Sequence, residues 1–392
     1  MDSDIIIASY ARTPMGGFQG VFAGVPATDL GITAVKAAVE RCGVDPKAIE
    51  RIYMGNVLSH GLGQAPARQV ALGAGLPNSV EATTLNKMCG SGMQATIMAA
   101  EALTAGAIKV AVAGGMESMT NAPFMLPKHR AGARMGHDKI VDALMGDGLE
   151  DAYEGKPMGA FAEDTARDYQ FTREAMDAFA IRSLSRANEA INSGAFSGEI
   201  APVTVKSRSG EVLVDTDEQP GNANPAKIPN LKPAFAKDGG ITAASSASIS
   251  DGAAALVLTR ADVAEQLGMT KEARLVAAAA HAQEPALFTT APVFAIRKVL
   301  EKAGWSIEDV DLFEVNEAFS AVAMIAVRDL SIAEEKINVN GGATALGHPI
   351  GASGARIIAT LIAALKARGL KRGIASLCIA GGEATAVAIE VL

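Results

Sequence analysis

The sequence predicts an α/β fold made of two related halves, with a more polar section set between them. Three observations predict it. The chain repeats itself: Gly43-Val44-Asp45-Pro46 leads to Ile49-Glu50-Arg51-Ile52-Tyr53 and then Gly55-Asn56, and Gly304-Trp305-Ser306 leads to Val310-Asp311-Leu312-Phe313 and then Val315-Asn316. A second pair follows in the same order. Cys89-Gly90-Ser91-Gly92 opens an apolar helix that runs into Val110-Ala111-Val112-Ala113-Gly114-Gly115, and Gly351-Ala352-Ser353-Gly354 opens one that runs into Ile374-Ala375-Ser376-Leu377-Cys378-Ile379-Ala380-Gly381-Gly382. Two passes of strand, helix and strand imply duplication. The strands are also continuous apolar runs, as expected of a sheet covered on both faces.

Each element follows from local chemistry. Ile5-Ile6-Ile7-Ala8 reads as an opening strand. Gly43 and Gly304 read as helix ends, each followed by a turn and a buried strand. From about residue 121 to 240 the chain is richer in charge and turn residues. One clear amphipathic helix lies there, from Arg173 to Ser193, with Thr172 as N-cap, Gly194 after its end, and Met176, Phe179, Ala187 and Ile191 on one face. Gln219-Pro220-Gly221-Asn222-Ala223-Asn224-Pro225 reads as an irregular loop. The middle section is expected to cover the active site and contact the substrate. The boundaries expected are 1–120 for the first part of the N-terminal half, 121–249 for the insertion and return, 250–270 for the end of that half, and 271–392 for the C-terminal half.

Bulk properties narrow the classes of function. The 392 residues are too many for one simple core. Charged residues make up 20% and hydrophobic ones 49%, which suits a globular enzyme. Aromatics at 4% favour closely packed helix-on-sheet layers over an aromatic-rich sandwich. A net charge of −8 argues against general nucleic-acid binding. Three cysteines without Cys-x-x-Cys spacing offer neither a disulfide framework nor a four-thiolate metal site, so no metal is expected and a reducing, cytoplasmic compartment fits. No signal peptide, peroxisomal address or membrane span is expected from the sequence.

Three glycine-rich segments carry the reactive side chains. Cys89 lies before a helix start, where free N–H groups and the helix dipole would lower a thiol pKa. A buried structural cysteine is the plain alternative. His348, between Gly347 and Pro349, is suited to take a proton from a thiol; an exposed loop histidine is the alternative. Cys378 ends a buried strand before glycines, where it serves either as a second acid/base or as a small core residue. Asn316-Glu317-Ala318-Phe319 closes the equivalent strand, so Asn316 either holds a water or the histidine or is a turn residue. All four fall at C-terminal strand ends or the turns after them, where such sheets place ligands. Together they suggest acyl transfer through a thioester.

These segments, with Arg12-Thr13-Pro14, Met158-Gly159, Ala162-Glu163, Asp251-Gly252-Ala253-Ala254 and Asn340-Gly341-Gly342-Ala343, give a chain that resembles the thiolases over essentially its whole length. The resemblance implies a five-layered αβαβα fold, duplicated, with a loop domain inserted in the N-terminal half. It implies a biosynthetic-type acyl-CoA acetyltransferase that condenses two acetyl-CoA to acetoacetyl-CoA by a ping-pong route, or runs the reverse thiolysis. Cys89 would be the acylated nucleophile, His348 its base and Cys378 the acid/base at the α-carbon. Asn316 would anchor a water that shares one oxyanion hole with His348. The amides of Cys89 and Ala380 would form the other. Met158, Phe235 and Phe319 match apolar positions of the acyl and pantetheine tunnel. Coenzyme A enters only as part of the substrate, with no tightly bound cofactor, and a homotetramer is implied.

Three positions depart from that pattern. Ala380 replaces a common glycine. Lys156-Pro157 precedes Met158 where acetoacetyl-CoA enzymes often carry histidine, which opens the alternative of a degradative 3-ketoacyl-CoA thiolase for longer chains. A serine that contacts pantetheine aligns with Ala247, which leaves Ser246 and Ser248 as candidates. Lys128-His129-Arg130, with Arg134 and Lys139, are candidates to steer the phosphates of coenzyme A. The competing readings are a β-ketoacyl synthase, which would need a second histidine in place of Cys378, a non-catalytic acyl-CoA carrier of the same fold, and a zinc trap formed by Cys89, Cys378 and His348.

Overall fold

The computed structural model describes residues 3–207 and 210–392. In chain order, the N-terminal half lays down β1 (Ile5–Arg12), β2 (Gly16–Gly17), α1 (Ala27–Cys42), β3 (Arg51–Gly55), α2 (Pro66–Gly73), β4 (Glu81–Leu85), α3 (Ser91–Thr104) and β5 (Val110–Ser118). The middle section carries β6 (Phe124–Met125), β7 (Val141–Asp142), α4 (Met158–Asp168), α5 (Arg173–Asn192), β8 (Val203–Ser207), β9 (Gly210–Val214) and α6 (Glu218–Asn222). The chain then returns through β10 (Ser250–Arg260) and α7 (Ala261–Leu267). The C-terminal half is β11 (Ala273–Ala282), α8 (Ala291–Ala303), β12 (Leu312–Val315), α9 (Ser320–Leu330), α10 (Ala343–Leu346), α11 (Ile350–Arg368), β13 (Arg372–Ile379) and β14 (Glu383–Val391).

The strands join in the order β12-β13-β14-β11-β1-β10-β5-β3-β4. The duplication is visible in this order. The series β1, β10, β5, β3 on one side corresponds to β11, β14, β13, β12 on the other. Within each series the first three strands run antiparallel to their neighbours and the last pair, β5–β3 or β13–β12, runs parallel. Even β4 has a remnant partner: Phe313 makes an isolated parallel bridge to Ile337 where β3 pairs with β4. The halves meet at β1–β11, over Ile5–Leu275, Ile6–Arg274 and Ile7–Ala273.

Three apolar cores define five layers. One fills the space between α1, α2 and the outer face of the N-terminal strands. A second lies under α8 and α9 and reaches into α4 and α5. The third surrounds α3 and α11, which touch each other and face both halves of the sheet. Helix, sheet, central helix pair, sheet and helix follow in turn.

Most local signals produce the elements they predict. Gly43 and Gly304 end α1 and α8 in the left-handed conformation, at φ 72 and 67. Thr172 caps α5 by accepting from Ala175 N at 3.2 Å, and the helix ends one residue early, at Asn192. Two expectations are overturned. Residues 219–225 are not one irregular loop, because Glu218–Asn222 forms a short helix held in place as Glu218 accepts from Gly17 N at 2.7 Å. Among the described residues one helix, α11, is also long and apolar enough by composition to cross a membrane, contrary to the sequence expectation. Its apolarity has another cause: 89% of the apolar window is buried between the two halves of the sheet.

Candidate active site

The nucleophile turn is built backward from α3. Met88 adopts φ 46, and Asn86 Oδ1 accepts from its amide at 2.9 Å. Ser91 Oγ accepts from Lys87 N at 2.8 Å and donates to Met88 O at 2.7 Å. These bonds tie residues 86–91 into a knot that holds Cys89 before the helix. The side of Cys89 opens onto a cavity of about 440 Å³.

That cavity gathers residues from both halves and from the middle section. Cys89, His348, Cys378 and Ala380 stand at its reactive end. Met158, Phe235, Ser246, Ser248 and Phe319 line its walls with Met145, Leu149, Pro157, Phe288 and Ile350, so the surface is overwhelmingly apolar. Phe235 and Phe319 meet edge to face, with centroids 5.8 Å apart. The Ser246 hydroxyl donates to Thr242 O at 2.8 Å, and Ser248 Oγ donates to the Gln219 side chain. Asn316 does not line the cavity; it lies buried behind His348. None of Lys128, His129, Arg130, Arg134 and Lys139 lines it either. They sit on an exposed excursion between β6 and β7.

The thiols are not acidic. Burial pushes Cys89 up to about 11, opposed by donation from the Ala380 amide and from its own amide. The expected lowering at the helix start is therefore overturned: two amides next to the sulfur offset only part of the cost of burying a thiolate. Cys378 is held well above its ordinary value by burial and then by Cys89. Among the described residues, no three His, Cys, Asp or Glu side chains are arranged to hold a metal ion.

His348 is a buried neutral base. Burial, then the Arg356 charge, lowers its pKa to about 3. Its Nδ1 lies 2.6 Å from Ser353 Oγ, and that hydroxyl donates to Pro349 O at 2.9 Å. With the Ser353 proton so engaged, Nδ1–H is the donor to Ser353 and Nε2 is left with a free lone pair, a tautomer assigned from the bonding network. Asn316 is oriented by Arg356, whose Nη2 donates to Oδ1 at 3.3 Å. The Asn316 amide nitrogen thus turns toward the imidazole, but at 3.5 Å from both ring nitrogens it makes no strong bond.

The sequence reading overlooked a supporting set. Glu117, at the end of β5, accepts from Val57 N, Leu58 N and Gly351 N at 3.0, 3.0 and 2.8 Å. It fastens the start of α11 beside the loop after β3, and burial raises its carboxyl to about 7. Arg356 pairs with Glu314 at 3.0 Å inside the fold. Ser353 lay within a quoted motif, and only its place five residues after His348, near one helical turn, hinted at its role. Glu117 gave no signal beyond an acidic residue inside an apolar strand.

Known proteins resemble the chain along its whole length. Residues 5–262 match the family model described as thiolase, N-terminal domain, and 269–391 match thiolase, C-terminal domain. An acetyl-CoA acetyltransferase 2 of Arabidopsis thaliana is 49% identical, covering 99% of this chain and 97% of its own length. An acetyl-CoA acetyltransferase of Schizosaccharomyces pombe is 46% identical, over 100% and 99%. Among solved structures, an Ascaris suum thiolase in complex with coenzyme A superimposes with a TM-score of 0.94 at 43% identity, over 99% of this chain and 100% of that one. A Bacillus anthracis acetyl-CoA acetyltransferase gives 0.97 at 41%, over 100% and 99%.

Proposed function

The chain belongs to the thiolase family, and from that premise we propose that it is an acyl-CoA acetyltransferase that joins two acetyl-CoA into acetoacetyl-CoA and coenzyme A, and runs the reverse thiolysis. The observation that carries the proposal is the meeting of Cys89, His348, Cys378 and Ala380 in one apolar cavity. The relatives named as acetyl-CoA acetyltransferases and the Ascaris protein's complex with coenzyme A support it.

The chemistry divides into two half-reactions. His348 Nε2 takes the Cys89 proton as the sulfur attacks the thioester carbonyl. The oxyanion forms beside the amides of Cys89 and Ala380, each such donor being worth about 10²–10³ in rate. Collapse expels the coenzyme A sulfur, which receives the proton from His348, and leaves acetyl-Cys89. The Cys378 thiol passes its proton to the neutral His348, a second acetyl-CoA loses an α-proton to the resulting thiolate, and His348 returns its proton to Cys378 when the cycle closes. A thiolate whose pKa is raised by burial is a stronger base, which suits a weakly acidic C–H. The enolate oxygen is stabilised by the Nε2–H of His348 while the ring carries that proton. The carbanion attacks acetyl-Cys89, and the Cys89 sulfur leaves with the proton held by Cys378. Water is kept out by the apolar walls, so the thioester is spared hydrolysis.

Intact-mass analysis after mixing with acetyl-CoA tests this route. One acetyl group is expected on Cys89, none on Cys89→Ala, and a retained adduct without condensation on Cys378→Ala. Condensation at the normal rate by Cys378→Ala would overturn the assignment of the second thiol. Pro157 on the cavity wall favours a second reading, in which longer 3-ketoacyl-CoA chains are cleaved; thiolysis rates across chain lengths decide between them. Assembly into a homotetramer belongs to the same proposal. Phe124, Met135 and Ile140 are apolar side chains exposed at 68%, 99% and 68% on the β6–β7 excursion, which suits them to burial against other copies. Sedimentation at several concentrations tests it.

A further inference from the structure

The two turns that carry the reactive amides come from opposite halves, and no covalent link lies between them. Cys89 belongs to the knot before α3, and Ala380 to the turn between β13 and β14. They nevertheless meet at three points. The Ala380 backbone lies close enough to the Cys89 thiol to lower its pKa, and both residues line the same cavity. Gly90 lies so close to Ile379 that a Cβ at 90 would collide with its Cδ1. On the solvent side, Lys87 Nζ is paired with Glu383, across 296 residues of sequence. Lys87 stands two residues before Cys89, and Glu383 three after Ala380.

Apart from packing, such as Gly92 against Gly351 and Ala355 of the other half, the remaining hydrogen bonds of each turn are internal to its own half. Residues 86–91 bond among themselves. Gly382 O accepts from Gln283 N at 2.9 Å, which ties the other turn to the end of β11. The distance between the two amides is thus set by packing and by this one ion pair. Resting on the functional reading above, we infer that Lys87 and Glu383 form an electrostatic latch that holds the Cys89 and Ala380 amides at one spacing around the reacting carbonyl oxygen. Both are positioning residues: neither lines the cavity. An oxyanion hole rewards fixed donors, since donors that must reorganise during reaction stabilise charge less.

The size of the effect follows from exposure. The side chains are 26% and 35% exposed, so the pair is worth what partly exposed pairs are worth, which corresponds to roughly a two- to fivefold change. Lys87→Gln and Glu383→Gln are each expected to lower kcat by about that factor with KM unchanged. The charge-swapped double variant K87E/E383K is expected to recover most of it. Raising salt to about 1 M, where charges are screened within ~3 Å, should bring the wild-type kcat toward that of the single variants and leave theirs in place. Hydrogen exchange of peptides covering 86–92 and 378–384 reads the latch without reference to activity. It should quicken in both single variants and slow again in the swap. Unaltered exchange in the single variants overturns the latch. Faster exchange with kcat unchanged, or with KM alone raised, overturns its positioning role. Wild-type protein that takes no acetyl group on Cys89 overturns the functional reading instead, while the exchange arm still decides whether the latch exists.

Discussion

Proton position governs the site at the scale of single residues. A thiol pushed up to about 11 is not a standing thiolate at neutral pH, so its nucleophilicity depends on His348 taking the proton as the bond forms. Alkylation of Cys89 by iodoacetamide should therefore climb about tenfold per pH unit between pH 7 and 10. A plateau near pH 7 would mean a preformed thiolate and would overturn this account. Ser353 fixes which His348 nitrogen is free. Ser353→Ala is expected to lower kcat by roughly tenfold or more with KM held, and Ser353→Thr, which keeps the hydroxyl, to lose less. Stability carries the same signature. His348 binds its proton near pH 3 in the fold, against an ordinary value of 6.5. As pH falls the unfolded chain protonates first. The stability conferred by the neutral ring is thus complete above about 6.5 and is lost between there and about 3. Denaturant midpoints of wild type and His348→Gln should converge over that window. Glu314, raised to about 8 by burial, has the opposite sign: the fold keeps a proton that the unfolded chain has released, so its contribution falls as pH rises from the ordinary carboxyl range toward 8.

Glycines set the geometry of the elements, and here the sequence was legible only in part. The glycines near Cys89 and His348 stand in the sequence as companions of the reactive side chains. The structure uses Gly92 and Gly354 to bring α3 and α11 into backbone contact. A Cβ at Gly92 would lie 2.8 Å from Ala355 N, and one at Gly354 would strike the backbone of Met93. A sequence shows that a backbone must be approached closely but not by what, because the partner helix is some 260 residues away in the other half. Gly354→Ala is expected to cost about 1–3 kcal/mol, read as a lower denaturant midpoint at an unchanged slope. An equally stable variant would show that the helix pair can slide apart without loss. Helix ends at Gly43, Gly304 and Thr172 were legible because caps are local. The short helix α6 was not, because its anchors lie on residues 12–21. Nor was the burial of α11, whose composition alone matches a membrane span.

Across the whole molecule, duplication was the most legible feature, since each half repeats the same order of strand, turn and helix. What lay beyond reach were the supporting contacts that join distant segments: Glu117 on α11, Arg356 on Asn316, Lys87 on Glu383. The middle section is joined to the frame in the same way. Arg12, fully buried at the end of β1, donates to Asp217 Oδ1 at 2.7 Å and Oδ2 at 2.9 Å and also holds Glu199, while its guanidinium lies 4.8 Å from the Phe196 ring. Asp217 also accepts from Met15 N at 2.7 Å, and Glu199 from Thr360 of α11 at 3.1 Å. One cation thus secures the first strand, two points of the middle section and, through Glu199, the central helix. The middle section supplies Met158 and Phe235 to the cavity, so its seating bears on the site. Removing the cation strands two buried carboxylates, which is far more costly than losing a surface pair. Arg12→Met is expected to lose about 3–5 kcal/mol and to open residues 199–217 to protease before the rest of the chain. Adding Glu199→Gln and Asp217→Asn should return part of that stability, because the stranded charges are then gone. If Arg12→Met alone stays within about 1 kcal/mol of wild type, the middle section is seated by its apolar contacts and the buried cluster is incidental.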